Sequence, residues 1–373
     1  MLDDRTGQVG SEFPEMLAPL TGVRFFLALG VVLFHYQLHW TLPPEAAGLL
    51  NRARLGVDVF FILSGFIMAH VYLRDGRPLN YPKFLAARFA RIYPAHLFIL
   101  VAMLALVLTA PLLGVGLEPG RFNAGDFVQT LVLVQAWFPR QSLALWNGPA
   151  WSLSAEWFAY LAFPIYAWIG LRWKARPWAL ITLATVLFVV IDAVYHARYG
   201  IVLPRAEDNM GVLRIIPEFL YGVGLYQLGR RWGVVPRIAG SVAVTSSVVF
   251  LGLMQVGADD RLIVASAGPF LLSLALLAKA GVRSFLSAPV VLLGGEASFA
   301  LYLVHIPVLM VWRNAAQAIV DLPGDYRMSP PELAGLLLVT LTVALLIHLW
   351  IEQPGREVLR RLLIRSSKPS QAR

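Results

Sequence analysis

The chain has 373 residues, 58% of them hydrophobic and only 14% charged, whereas a soluble chain carries about 25% charged. Apolar runs of about 20 residues, the length that crosses a bilayer core, recur from end to end, which excludes an ordinary soluble domain. The absence of cysteine excludes disulfides, thiolate zinc sites and cysteine nucleophiles, and the net charge of +9 is assigned to basic membrane loops, not to nucleic acid.

In chain order the predicted spans lie at roughly 17–40, 55–73, 92–115, 153–171, 178–196, 211–229, 238–256, 262–280, 288–312 and 332–352. The fold class they predict is all-α: a polytopic membrane protein of about ten transmembrane helices in one bundle. No small-residue cleavage site follows the first span, which therefore reads as a retained helix and not a signal peptide. Residues 1–16 form a cytoplasmic segment, 17–352 one transmembrane domain and 353–373 a basic tail. The apolar piece at 126–138 is too short to span and is expected to be re-entrant or interfacial. With both termini in the cytoplasm, the inside segments hold 20 basic residues against 10 outside, among the latter Arg214 in the 197–214 loop.

Charged groups at membrane depth cost at least about 2.5–3.5 kcal/mol each, so each needs a reason. Arg24 and His35, 11 residues apart, fall on one face of the first span, about 16 Å apart along its axis. Either the imidazole is hydrogen-bonded to a backbone carbonyl inside the bundle, or it moves a proton. Asp58, near the outer end of the second span, reads as a cap of the helix start, and Ser64–Gly65 permits close helix packing. Arg88 and Arg91, at i, i+3 spacing, either anchor the third span to anionic headgroups or clamp a phosphorylated ligand. Ser152, Ser154 and Glu156 form an N-cap set or hold a functional acid. In the ninth span, which also carries Glu296, Pro307 beside His305 breaks the backbone ladder and is expected to expose carbonyls to a cavity.

Together, "LTGVRFFLALGVVLFHY", "GVDVFFILSGFIM", "RFARIYP", "WSLSAEWFAYLAFP", "ASFALYLVHIPV" and "IEQPGR" resemble, in order, the motif series of the integral-membrane acyltransferase-3 family. The resemblance implies an O-acyltransferase that moves acyl groups, often acetyl from acetyl-CoA, onto hydroxyls of envelope glycans, exopolysaccharides or macrolide-type molecules. His35 matches its catalytic histidine, Arg24 the arginine upstream, and Glu156 the acid of W-S-L-S-x-E. Arg88 and Arg91 match the R-x-x-R pair attributed to coenzyme A or substrate binding, Tyr93 of the same "RFARIYP" segment joins the expected substrate-binding set, and Ser64 falls in F-F-x-x-S-G. Asp58 and His305 join the expected substrate-binding set. "EWFAY" departs from the common E-x-F-Y, which shifts the aromatic pattern around the acid. The fused extracytoplasmic domain of longer members is expected to be absent. No permanently bound cofactor or metal is expected; acyl-CoA is the donor substrate, the bilayer the surrounding partner and the bacterial inner membrane the location. A histidine base fits acyl transfer to an alcohol, with Glu156 fixing its tautomer. A transporter or flippase built on the same buried charges is the alternative.

Overall fold

A backbone immersed in hydrocarbon must satisfy its own hydrogen bonds, and the apolar runs accordingly fold as helices. The computed structural model describes residues 12–37, 40, 44–74, 78–114, 116, 120–139, 146–207, 209–320 and 326–365, with no β-strand among them. In order come α1 (Ala18–Tyr36), α2 (Pro44–Arg52), α3 (Gly56–Tyr72), α4 (Tyr81–Thr109), α5 (Ala124–Leu131), α6 (Ala150–Leu161) and α7 (Phe163–Arg172). They are followed by α8 (Pro177–Tyr199), α9 (Val212–Arg231), α10 (Pro236–Gln255), α11 (Asp260–Lys279), α12 (Pro289–Val320), α13 (Pro330–Ile347) and α14 (Gln353–Arg365).

Among the described residues, eight helical stretches are long and apolar enough to cross a membrane, which makes this an all-α polytopic membrane protein. The fourth and sixth predicted spans are helical but fall outside the eight. One is divided at Ala162 into α6 and α7; the other, α9, carries Arg214, Glu218, Arg230 and Arg231. The piece at 126–138 is only in part a helix: α5 ends at Leu131, and turns follow. Leu133 there adopts φ 61°, a left-handed conformation that costs a non-glycine residue energy. Its own carbonyl is held by Ser154 Oγ at 2.9 Å, and three further bonds tie Gln135, Ala136 and Trp137 to α6.

The chain divides into two units, the first comprising 1–77, 165–206 and 213–298 and the second 78–164, 207–212 and 299–373. In the first, α3 and α11 are central, with 72% of each apolar stretch buried, against 22% for α8 and α10. Val186, Val189, Val244 and Val248 on those outer helices are exposed, an apolar surface that suits lipid and not water. α3 meets α9 backbone to backbone. A Cβ on Gly65 would lie 2.0 Å from the Phe219 carbonyl oxygen, and one on Gly222 2.0 Å from that of Ile62. Only glycine permits this approach, so the packing expected at Ser64–Gly65 is realised at Gly65.

In the second unit, the 29 residues of α4 span about 44 Å, longer than the bilayer core of about 30 Å. Its cations Lys83, Arg88 and Arg91 all lie in its N-terminal half. Asn80 caps that end, its side chain accepting from the Lys83 amide at 3.1 Å. α14 packs on α4 so closely that a Cβ on Gly355 would come within 2.6 Å of Pro94.

Candidate active site

His35 lies in the last turn of α1, and its Nδ1 is 2.9 Å from the carbonyl of Val31, one turn back. A carbonyl only accepts, so Nδ1 carries the hydrogen and Nε2 takes the acceptor role. This is the backbone-bonded arrangement, the first of the two expected for His35, and it is compatible with a base because a neutral imidazole keeps one acceptor nitrogen. The orienting role anticipated for Glu156 is filled at Nδ1 by backbone. Arg24 occupies the second turn of the same helix, half-buried. Along α1 also runs an apolar cavity of about 750 Å³, lined by Val23, Phe26, Gly30 and Leu33 and by α10 and α11.

Asp58 lies in the first turn of α3 and does not cap it: the helix has no side-chain cap. Instead Arg214 Nε and Nη2 grip its two carboxylate oxygens at 3.1 and 2.6 Å, while Nη1 donates to the Ala206 carbonyl at 2.7 Å. Asp58 and Arg214 are fully buried, as is Glu218, one turn beyond Arg214. Glu218 lines a cavity of about 80 Å³ together with Thr185, Tyr221 and Arg261. Ser64 is half-buried on α3. His35, Arg24, Asp58 and Ser64 thus belong to the first unit; Arg88, Arg91, Tyr93, Glu156 and His305 belong to the second.

In the second unit, Arg88 and Arg91 share one face of α4, and Tyr93 stacks on Phe89 at 4.3 Å. Arg91 Nη1 pairs with Glu352, and the guanidinium lies over the Phe299 ring at 5.7 Å. Glu156, half-buried on α6, accepts from Tyr160 OH at 2.5 Å. Neither Ser152 nor Ser154 caps α6, which begins behind Pro149. Ser152 Oγ donates to the hydroxyl of Tyr302 at 2.8 Å, and that hydroxyl donates to the Pro149 carbonyl at 3.0 Å. His305 is fully buried with Nδ1 on the Tyr302 carbonyl at 2.6 Å. Pro307 lacks an N–H and so frees the carbonyl of Leu303, which accepts from Asn147 Nδ2 at 3.0 Å.

Sequence reasoning missed Arg214, Glu218, His348, Glu352 and Asn147. Glu352 was visible as the acid of "IEQPGR", but its partner is more than 250 positions away in the sequence. Arg214 was counted among external loop cations, and nothing local marks it as the partner of Asp58.

A family model described as an acyltransferase domain matches residues 18–349. Acyltransferase MdmB of Streptomyces mycarofaciens is 31% identical over 374 residues, covering 92% of this chain and 93% of that protein. O-acetyltransferase OatA of Staphylococcus aureus (strain NCTC 8325 / PS 47) is 23% identical over 323 residues, covering 80% of this chain but 51% of its own length, so the chain spans about half of that relative. Protein 2 in picA locus of Rhizobium radiobacter is 31% identical over 194 residues, covering 48% of this chain and 93% of that protein. No solved structure matches. The ordered motifs, the helical membrane fold and a match over nearly the whole length place the chain in the acyltransferase-3 family, as a multi-pass membrane enzyme that transfers acyl groups.

Proposed function

We propose that the chain is an O-acyltransferase of the bacterial inner membrane, moving an acetyl group from acetyl-CoA to a carbohydrate hydroxyl. The observation that carries this reading is the match to the acyltransferase family over residues 18–349, in whose motif series His35 stands at the histidine position; its Nδ1 bond to the Val31 carbonyl is compatible with Nε2 acting as the base. In the step it supports, the acceptor hydroxyl oxygen attacks the thioester carbonyl carbon and Nε2 takes the hydroxyl proton. As the C–O bond forms and the C–S bond breaks, that proton passes to the leaving thiolate. Glu156 is assigned as the second catalytic group on the strength of its motif. Arg88 and Arg91 hold the donor's phosphates through charge-assisted hydrogen bonds. The two-to-one excess of basic residues in the segments assigned inside supports both termini in the cytoplasm, where acyl-CoA is made, and puts the two arginines on that side.

The test is acyl transfer from radiolabelled acetyl-CoA by the purified protein and its His35 variants. His35→Ala and His35→Gln should both lose about 10²–10⁴-fold in rate, the usual loss for a positioned base, while inserting and expressing normally. Gln keeps a donor and an acceptor but takes no proton near neutral pH. Near-full activity in His35→Gln would make the imidazole a packing residue and place the chemistry elsewhere.

A further inference from the structure

Arg91 is held from behind. Its partner Glu352 has no exposed surface, while the Arg91 side chain keeps 19% of its own. Glu352 reaches this position through a single π turn, His348–Glu352, set between α13 and α14. Such a turn fits one extra residue into a helix, so it re-aims the side chains it carries, and such turns are frequent at functional sites. His348 Nδ1 donates to Glu352 Oε2 at 3.0 Å, and His348 Nε2 accepts from the Gln353 side-chain amide at 2.9 Å. Both imidazole nitrogens are therefore occupied, and the carboxylate is fixed on the side facing Arg91. Pro94, one helical turn after Arg91, is the residue against which Gly355 packs. The same face of α4 is thus gripped twice, by an ion pair and by a glycine contact.

We propose that Glu352 is a positioning residue for the acyl donor, holding the Arg91 guanidinium in the orientation that meets the donor's phosphates. The proposal rests on the reading that Arg88 and Arg91 bind that donor. A guanidinium is a planar fork whose value to a phosphate depends on its direction, and a long side chain already ordered has less freedom to lose on binding. Net charge argues the other way. Glu352 subtracts one charge from the pair of arginines, so if attraction alone mattered its neutralisation would strengthen donor binding. Orientation and charge therefore predict opposite signs for one substitution.

The experiment is steady-state kinetics of Glu352→Gln with acetyl-CoA as the varied substrate. The donor KM should rise roughly five- to tenfold while kcat stays within about twofold, the pattern of a lost binding interaction and not of damaged chemistry. An unchanged or lowered donor KM overturns the proposal. Should Glu352→Gln not fold, Glu352→Asp keeps the charge but draws the carboxylate back from the Arg91 guanidinium. It should also raise the donor KM with kcat nearly unchanged; an unchanged donor KM in the folded Asp variant overturns the proposal. If Arg91→Lys raises the donor KM but Glu352→Gln does not, Arg91 stays a donor ligand and only the role given to Glu352 fails.

Discussion

Among the described residues, a fully buried carboxylate is paired with an arginine in each unit, Asp58 with Arg214 in the first and Glu352 with Arg91 in the second, and the two pairs are built differently. In the first, Arg214 spends Nε, Nη1 and Nη2 inside the protein, two on Asp58 and one on the Ala206 carbonyl, and both side chains are at most 2% exposed. In the second, Glu352 takes Arg91 at Nη1, and Arg91 remains 19% exposed. A closed pair has little to offer a ligand; its contribution is to hold α3 and α9 together. A half-open pair keeps part of its guanidinium accessible, which is what the donor-binding role proposed for Arg91 asks of it. On that proposal, the geometry of the pair, more than the presence of arginine, separates scaffold from site.

The comparison breaks first at Arg214. Truncating one partner of a buried pair leaves an uncompensated charge, so Arg214→Ala should cost about 3–5 kcal/mol. Arg91→Ala should cost less, about 1–3 kcal/mol, because its exposure lets water reach the abandoned carboxylate. Thermal unfolding in detergent, followed by the fraction that remains monodisperse, ranks the two. Equal losses would mean that the half-open pair is as structural as the closed one.

Much of this was legible from the chain, and the remainder was not for identifiable reasons. Periodic and apolar patterns are local, so most spans were readable, as was the shared face of Arg24 and His35. Partnerships are long-range. Asp58 and Arg214 are 156 residues apart, and the one appeared as a cap and the other as a loop cation because each was judged by its neighbours in sequence. The cap suggested at Ser152 and Ser154 failed because the helix already begins at Ala150, freeing both hydroxyls for tertiary bonds. Pro307 did announce that a carbonyl would lose its helical partner, but the cavity expected to receive it is not what it meets: buried Asn147 donates to it, which was not readable from its local context.

That carbonyl gives the next test. Asn147 is 3% exposed, so Asn147→Ala should leave the Leu303 oxygen unpaired in a dry site, at about 1–3 kcal/mol. The same unfolding measurement applies, and acyl transfer by the folded fraction should persist. A loss well below this range would mean that the helix around Pro307 relaxes to satisfy itself.

The smallest effect is expected where the first unit repeats the device. Pro269 in α11 frees the carbonyl of Ala265, and the hydroxyl of Tyr221 donates to it at 3.2 Å. Here the surroundings differ. Tyr221 and Ala265 both line the cavity of about 80 Å³, with Thr185 and Glu218 among its other walls. A water takes about 30 Å³ in the liquid, and these side chains offer it further polar partners, so water can replace the lost hydroxyl. Tyr221→Phe should therefore cost under about 1 kcal/mol, with the aromatic packing kept. Measured beside Asn147→Ala, it asks whether the cost of an abandoned carbonyl follows its access to water. A Tyr221→Phe loss as large as that of Asn147→Ala would show that the cavity gives the Ala265 oxygen no such substitute.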